Sequence, residues 1–336
     1  MGEAMAGAEV PHTPSVVPCI LGVERFSVAW LSIRSFQGGR LEVSNGQVLQ
    51  GTYMRKFLVL VFVLLVPVGV AAEVAHLTLG VHPYLDAEEI KRRFSPLAGY
   101  LSEQLGREVR VHVGIDYDEH INAVGADKLD IAFLGPASYV RLTNQYGSKP
   151  ILARVEADGQ PCFHGYIVAR EESPLQHLSD LRGMRFAFGD PESTMGTLVP
   201  RDMLAQAGVP LDQLAAYRHL TGHRNVALSV LVGSADAGAV KAEVFEYYRP
   251  QGMRSLARTP CISEHLFVTR SDLDADLIVR LHGLLLGLDE ADAVGRVLAP
   301  IKESASALVP AQDADYDNLR EIDRRSGDRF LQSAAQ

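Results

Sequence analysis

The sequence predicts an α/β protein built as two lobes, and three features of its patterning carry that prediction. Short apolar runs alternate with amphipathic helical patterns over residues 76–146, which is typical of a parallel or mixed sheet covered by helices. A second series of the same kind begins at Met184. A last strand-like run at residues 264–269 would return the chain to the first sheet. The second lobe is therefore expected to be inserted into the first, with a cleft between them.

Each element of the first series follows from its own pattern. Residues 76–81 alternate as a strand, whereas residues 87–105 place apolar side chains at spacings of three and four, as in a helix. Pro96 lies inside that helix and is expected to kink or split it, because proline lacks a backbone N–H. The other elements expected in this series are strands at 109–113 and 130–134 and helices at 116–124 and 136–145.

The second series is expected to form lobe II. Strand-like runs at 151–155 and 162–169 lead into it. Its expected elements are strands at 184–188 and 237–240 and helices at 201–206 and 225–232. Lobe I is then expected to comprise residues 76–164 and 266–332, and lobe II residues 165–265. Ligands of such sheets bind beyond the carboxyl ends of the strands, so the loops at these ends are the candidates for a site.

The N-terminal part of the chain is expected to lie outside the two lobes. Residues 54–72 read MRKFLVLVFVLLVPVGVAA, with two cations, an apolar run and small residues at the end, which is the layout of a secretory signal peptide. The apolar run is short for a membrane span, which needs about 20 residues, although a membrane anchor is the alternative. Residues 1–53 show little periodicity and are expected to be a disordered leader or upstream sequence translated in error.

Composition limits the kinds of partner that this chain can have. Of its 336 residues, 47% are apolar and 22% are charged, which is ordinary for a globular protein with a sizeable core. The formal net charge of −9 argues against nucleic acid or an anionic membrane surface as a partner, because both require a basic field. An anionic ligand must therefore be bound by local chemistry.

The cysteines predict neither a metal site nor a cofactor. The chain has three, and no CxxC pair or Cys/His cluster has the spacing of zinc ligands. Cys19 falls in the expected leader, so an exported chain would keep Cys162 and Cys261. Disulfides persist in an oxidising compartment, so these two cysteines could pair there.

The stretch GDPESTMGTLVPRDMLAQAG at 189–208 places small hydroxyl residues and a glycine where a strand leads into a helix. The first turn of a helix has backbone N–H groups without partners and lies at the positive end of the helix dipole, which makes it an anion site. Ser193, Thr194 and Thr197 would add hydroxyl donors, and Gly196 would let a ligand approach the backbone. The alternative is ordinary helix capping, for which Ser and Thr are common residues. The GxxxxGK[ST] pattern of a phosphate-binding P-loop is absent.

Two further sequence features point to polar groups near the same cleft. GHRN at 222–225 opens the next helix, where His223 could donate to an oxyanion and Arg224 could add a charge. Asp236 precedes the strand at 237–240 and is expected to reach the cleft. The alternatives are a solvated loop capped by Asn225 and an ordinary turn aspartate.

Taken in order, these stretches resemble the phosphate/phosphite/phosphonate-binding family of periplasmic substrate-binding proteins, which serve ABC importers. The resemblance covers about residues 76–325. It rests on FSPL (94–97), YL (100–101), DY (116–117), DIAFLGPASYV (130–140), DLRG (180–183), FGDPESTMG (188–196), His223 and GSADAG (233–238). It implies the type II periplasmic-binding-protein fold, in which two α/β lobes are joined by two crossover strands and the ligand lies in the cleft.

The resemblance also implies which residues bind the ligand. The turn at 193–197 would take phosphoryl-like oxygens, with side chains of both lobes closing the pocket around them. The ligand-binding residues implied are Ser193, Thr194, Met195, Gly196, Thr197, His223, Asp236, Tyr117, Leu134, Gly135, Pro136 and Tyr84. Cys162 and Cys261 lie near the two crossovers, which run side by side in this fold, and a disulfide between them would link the hinge.

The sequence departs from the family pattern at three positions. Many phosphonate binders carry Ser-Thr-Ser-Gly at the turn, whereas this chain has Met195 in place of the second serine. Many have an aromatic residue at the position of Leu134, and many follow the histidine with an acid where this chain has Arg224. These differences leave open which oxyanion is bound.

The resemblance implies a monomeric periplasmic protein that captures a small phosphorus oxyanion and delivers it to the permease of an ABC importer, with no cofactor. The alternative is a sensing subunit that reports the ligand to a membrane kinase or diguanylate cyclase, because both roles need the same clamp. A third possibility is a hydrolase with Ser193, His223 and Asp236 as its triad. The sequence argues against an enzyme, because the nucleophile motif GxSxG is absent.

Overall fold

A computed structural model describes residues 33–37, 40–43 and 76–325. The chain divides into two compact units, Met1–Ala71 and Ala72–Gln336. In the first unit, strands β1 (Ile33–Gln37) and β2 (Arg40–Val43) pair antiparallel, within the stretch where the sequence predicted no regular element. The expected signal peptide at 54–72 lies outside the described residues. Among the residues that are described, no helix is both long enough and apolar enough to span a bilayer.

The elements of the second unit alternate between strands and helices along the chain. The first half contains β3 (Leu77–Val81), α1 (Ala87–Leu105), β4 (Val109–Val113), α2 (Tyr117–Gly125), β5 (Ile131–Leu134), α3 (Pro136–Tyr146), β6 (Ile151–Ala157), β7 (Cys162–Phe163), β8 (Gly165–Arg170) and β9 (Arg185–Phe188). The second half contains α4 (Val199–Gln206), β10 (Ala216–His219), α5 (His223–Leu231), β11 (Ala237–Lys241), α6 (Ala242–Tyr248), β12 (Met253–Arg258), β13 (Ile262–Ser263), β14 (Leu266–Thr269), α7 (Ala275–Leu286), α8 (Ala291–Ala293), β15 (Ala305–Val309) and α9 (Asp317–Arg325).

Lobe I is built on a six-stranded sheet in the order β15-β6-β14-β5-β3-β4. Its strands β4, β3 and β5 run parallel, whereas β14, β6 and β15 are joined by antiparallel pairing. The long helix α1 covers one face and buries Ile90, Phe94 and Leu97 in the core. It continues unbroken through Pro96, so the expectation of a split helix is wrong. The apolar side chains on both sides of the proline pack into one core, which offsets the missing N–H.

Lobe II is built on a five-stranded sheet in the order β10-β9-β11-β8-β12. Strand β9 runs parallel to β10 and β11, and β8 pairs antiparallel with β11 and β12. Its two faces are covered by separate clusters of buried apolar side chains, one around Phe186 and Leu204 and the other around Val226 and Phe245. A sheet buried on both faces explains why β9 and β11 read as nearly continuous apolar runs.

The lobes are connected by two chain segments that run side by side. Strands β7 and β13 pair antiparallel as a two-stranded ribbon between the two sheets. Cys162 and Cys261 form a disulfide across this ribbon, with their Cα atoms 5.6 Å apart. The disulfide therefore links β7, where the chain leaves lobe I, to the segment at β13, where it returns. Strand β14 of the lobe I sheet follows directly.

Candidate functional site

A cleft of about 910 Å³ lies between the lobes and contains the candidate site. It opens at the carboxyl ends of strands in both sheets. His82 follows β3, Gly135 follows β5, and Lys241 ends β11, and all three line it. Because the carboxyl ends of β3, β5 and β11 meet there, the loops at this edge supply most of the polar groups.

The turn after β9 presents donors to the cleft. Ser193 caps a π-helical turn, Thr194–Leu198, which runs directly into α4. The hydroxyl oxygen of Ser193 accepts the N–H of Gly196 at 3.0 Å, so the hydroxyl proton is available for another acceptor. The first turn of a helix also leaves N–H groups without intrahelical partners. Since Ser193, Thr194 and Met195 line the cleft, this end of the helix can bind an anion.

The glycine in this turn is required by the fold of the turn itself. A Cβ on Gly196 would lie 2.8 Å from the Ser193 hydroxyl oxygen and 2.9 Å from the Cα of Gly189. Gly196 does not line the cleft. The sequence predicted that the missing side chain of this glycine leaves room for a ligand. In the structure it leaves room for the backbone of Gly189.

Two threonines of the turn have different surroundings. The Thr194 hydroxyl oxygen accepts the N–H of Ala137, in the first turn of α3, at 3.0 Å, and Thr194 lines the cleft. Its hydroxyl proton is therefore free to donate to a ligand. The Thr197 hydroxyl instead lies 2.8 Å from the carbonyl oxygen of Asp190, and the residue is fully buried away from the cleft. Thr194 is thus placed to bind a ligand, and Thr197 stabilises the turn.

His223 begins α5 and lines the cleft from lobe II. Its Nδ1 is buried and has no hydrogen-bond partner within residues 76–325. Burial, assisted by the charge of Lys241, lowers the pKa of His223 to about 4. The ring is therefore neutral at pH 7 while the cleft is empty, and it can gain a proton when an anion approaches.

Lobe I contributes two tyrosines. Burial raises the pKa of Tyr117, and the nearby carboxylate of Asp190 adds to this effect. Burial also raises the pKa of Tyr84 to about 12. Both side chains therefore stay protonated at neutral pH and keep a hydroxyl donor in the cleft. Leu134 and Pro136, which were expected to bind the ligand, are instead buried in lobe I and do not line the cleft.

Ser138 is a cleft residue that the sequence analysis missed. It lies in the first turn of α3, is 1% exposed, and its hydroxyl oxygen has no partner within the described range 76–325. It lines the cleft close to where Thr194 meets α3. A serine in the first turn of a helix that follows a strand was the signal that could have revealed it.

A chain of acidic and basic side chains crosses the base of the cleft, and sequence reasoning missed it as well. The Nζ atom of Lys302, from the loop before β15, lies 3.1 Å from Glu243 Oε1 and also contacts Glu264. Lys241 Nζ lies 2.8 Å from Glu243, and His265 Nδ1 lies 2.7 Å from Glu264. Burial alone would raise the pKa values of both glutamates, but these partners outweigh it and lower each pKa to about 2.

Asp236 does not lie in the cleft. It precedes β11 at the amino end of that strand, whereas Lys241 at the carboxyl end lines the cleft. Its carboxylate instead binds Arg185, with Oδ1 2.7 Å from the guanidinium and Oδ2 accepting the backbone N–H at 2.9 Å. The expectation for Asp236 is therefore wrong, because the ends of a five-residue strand face opposite edges of the sheet.

Two α/β lobes, two crossings and a polar cleft at strand carboxyl ends define a bilobal ligand-binding protein. The family model described as "ABC transporter, phosphonate, periplasmic substrate-binding protein" matches residues 79–316. The chain belongs to this family, whose members are the substrate-binding components of ABC importers and not enzymes. The fold class predicted from the sequence is confirmed, as is the family.

Named relatives agree with this membership. The chain is 27% identical over 271 residues to the phosphate-import protein PhnD of Mycolicibacterium smegmatis, covering 73% of this chain and 84% of that protein. It is 24% identical over 267 residues to a probable phosphite-binding protein, PhnD1, of Prochlorococcus marinus, covering 74% and 89%. The structure of PhnD1 in complex with methylphosphonate has the same fold, with a TM-score of 0.67 at 24% identity, covering 75% of this chain and 98% of that one.

Proposed function

We propose that the cleft binds the tetrahedral oxyanion group of a phosphorus compound at the turn formed by Ser193, Thr194 and Met195. The candidates are phosphate, phosphite and phosphonates. One observation carries the proposal. The hydroxyl oxygens of Ser193 and Thr194 already accept backbone N–H bonds, so both hydroxyls are left to donate. Hydrogen bonds to a charged oxygen are shorter and stronger than neutral ones, so two oriented hydroxyls at a helix N-terminus suit an oxyanion.

Further groups that line the cleft support the same assignment. Tyr117 and Ser138 contribute hydroxyls from lobe I, and His223 contributes a ring nitrogen from lobe II. A ligand that accepts bonds from both lobes at once stabilises the closed arrangement, which is the thermodynamic basis of a clamp. The names of the relatives, which refer to phosphate and phosphite, are consistent with this ligand class.

We also propose that residues 54–72 export the chain to the periplasm, where it delivers its ligand to the permease of an ABC importer. The layout of that segment and the family membership support this role. The disulfide between Cys162 and Cys261 is consistent with an oxidising compartment.

Calorimetric titration of the purified protein with phosphate, phosphite and methylphosphonate tests the proposed ligand class. Thr194→Ala removes a donor to a charged oxygen and should weaken binding by roughly 1.5–3 kcal/mol, which is roughly tenfold to a hundredfold. Thr194→Ser keeps the hydroxyl and should restore most of the affinity. Thr197→Val serves as the matched control, because it should lower stability and leave affinity nearly unchanged. Failure of all three ligands to bind, or equal affinity of Thr194→Ala and wild type, would contradict the proposal.

A further inference from the structure

We propose that the ligand is an organic phosphonate or phosphate monoester that carries an aromatic ring. This inference rests on the proposed function, since it takes the oxyanion to lie at the Ser193 turn. It narrows the ligand from any phosphorus oxyanion to one with a large flat substituent. Three features carry it: the volume of the cleft, the contacts that already join its walls, and the chemistry of its rim.

The cleft is much larger than an inorganic oxyanion. Its volume is about 910 Å³. A water molecule in the liquid occupies about 30 Å³, so the cleft has room for about thirty water volumes. An oxyanion of five heavy atoms would fill only a small part of that space. Clefts of about 300–1,000 Å³ normally enclose ligands of the size of a drug molecule.

The lobes are already in contact across the cleft, so its volume does not come from widely separated walls. The Lys302 ammonium of lobe I lies 3.1 Å from the Glu243 carboxylate of lobe II. Elsewhere on the cleft wall, the Ala137 N–H of lobe I donates to the Thr194 hydroxyl of lobe II at 3.0 Å. These two contacts join the lobes at separate places on the cleft wall, while a space of about 910 Å³ remains between them. The remaining space is therefore available to the substituent of a ligand.

The rim of the cleft carries aromatic and arginine side chains, and Arg93 among them is paired with Glu89. We call this part the outer chamber and define it by Tyr84, Leu85, Arg93, Arg224, Val244 and Tyr247. Tyr247 is 60% exposed, and the guanidinium carbon of Arg224 lies 6.0 Å from the centre of its ring. Arg224 is exposed and lines the cleft, so its guanidinium is accessible to a ligand there. Arginine and tyrosine in this arrangement stack against flat aromatic groups.

The outer chamber combines residues of both lobes. Tyr84, Leu85 and Arg93 belong to lobe I, whereas Arg224 and Tyr247 belong to lobe II. An aromatic substituent held there would contact both lobes while its oxyanion occupies the turn after β9. Such a ligand would stabilise the closed arrangement more than the oxyanion alone, because it makes additional contacts with each wall.

Titration of the purified protein with phosphonates and phosphate monoesters that carry a methyl, benzyl or naphthyl group tests the inference. The ring-bearing ligands should bind at least about tenfold more tightly than methylphosphonate, since stacking adds to the burial of the ring. Tyr247→Ala should weaken binding of the ring-bearing ligands more than that of methylphosphonate. Tyr217→Ala is the matched control, because Tyr217 is also exposed, at 48%, but lies on β10 outside the cleft.

Two results would overturn the inference, and they differ from each other. If phosphate or methylphosphonate binds as tightly as every ring-bearing ligand, the outer chamber does not bind an aromatic substituent and the inference is wrong. The proposed function stands in that case. If no ligand of the series binds, the proposed function fails and the inference fails with it. Equal effects of Tyr247→Ala and Tyr217→Ala on the ring-bearing ligands would also contradict the chamber.

Discussion

At the residue scale, the same amino acid has different roles at positions three residues apart. Thr194 and Thr197 lie in the same π-helical turn, yet only Thr194 faces the cleft. Thr197 uses its hydroxyl on backbone carbonyl oxygens within the turn. Thr194 accepts a bond from the other lobe and keeps its proton for a ligand. The hydrogen-bond partners of a side chain, and not its type, therefore decide which hydroxyl is free to donate into the cleft.

His223 should make ligand binding depend on pH. Its pKa is about 4 in the empty protein because the ring is buried. An anion beside the ring favours the protonated form and raises that pKa, so binding takes up a proton and affinity should increase as the pH falls towards about 4. Each unit by which the ligand raises the pKa corresponds to about 1.4 kcal/mol of additional binding free energy at low pH.

Titrations of wild type and His223→Gln with methylphosphonate at several pH values measure this effect. The ionisation of the ligand itself affects both proteins equally, so the ratio of the two affinities isolates the histidine. The affinity of the wild type divided by that of His223→Gln should increase as the pH falls. A constant ratio would show that His223 stays neutral in the complex.

At the element scale, the paired crossings β7 and β13 form the covalently linked hinge. Cys162→Ser combined with Cys261→Ser should lower the free energy of unfolding by about 2–5 kcal/mol, because the disulfide closes a long loop in the unfolded chain. Neither cysteine lines the cleft, so the affinity of the folded double variant should change little. Denaturant unfolding with and without a reductant checks this. The reductant should destabilise wild type and leave the double variant unaffected.

The loop before β15 carries a cation that contacts two carboxylates, the fully buried Glu264 and the more exposed Glu243. Lys302→Met would leave Glu243 and Glu264 without this partner, and loss of one member of a buried ion pair costs about 3–5 kcal/mol. Lys91→Met is the matched control, since the pair between Lys91 and Glu88 is exposed and such pairs contribute about 0–1 kcal/mol. Chemical denaturation of both variants compares them, and equal losses of stability would contradict the role of Lys302.

At the scale of the whole molecule, the buried His82 and His120 and the partly buried His223 should make the ligand-free protein less stable in acid. Burial lowers the pKa values of His120 and His223 to about 4 and that of His82 well below its usual value. Below about pH 6.5 the unfolded chain binds protons that the folded chain does not, so stability should fall as the pH decreases from 6.5 towards 4. Glu243 and Glu264 are ionised in the fold and add a further loss below about pH 4.5.

Unfolding measured at pH 7.5 and pH 5 checks this dependence. His120→Gln should reduce the difference between the free energies of unfolding at the two pH values, because glutamine has no group that takes up a proton in the unfolded chain. His120 does not line the cleft, so this variant separates stability from ligand binding. Equal stability of the wild-type protein at both pH values would contradict the prediction.

The predictability of the site differed from residue to residue. Ser193, Thr194 and His223 were predicted because each lies at a local landmark, the start of a helix. Tyr117 was implied only by the resemblance to the family, and it lines the cleft as these three do. Asp236 was misplaced because it stands at the wrong end of its strand, although strand direction could have excluded it. The ionic chain at the base of the cleft was missed for a different reason. Its members come from separate stretches, and none is unusual in its own surroundings.

The sequence by itself determined the alternation of strands and helices, the capped turn at 193–197 and the two-lobed arrangement. These properties depend on side-chain periodicity and on capping residues, which act over a few neighbouring positions. Only the tertiary structure decided that Lys302 faces Glu243 and that Arg224 lies over Tyr247 on the rim. The physical reason is that charge and shape in a cleft arise between elements distant in sequence, so no local pattern records which groups the two lobes bring together.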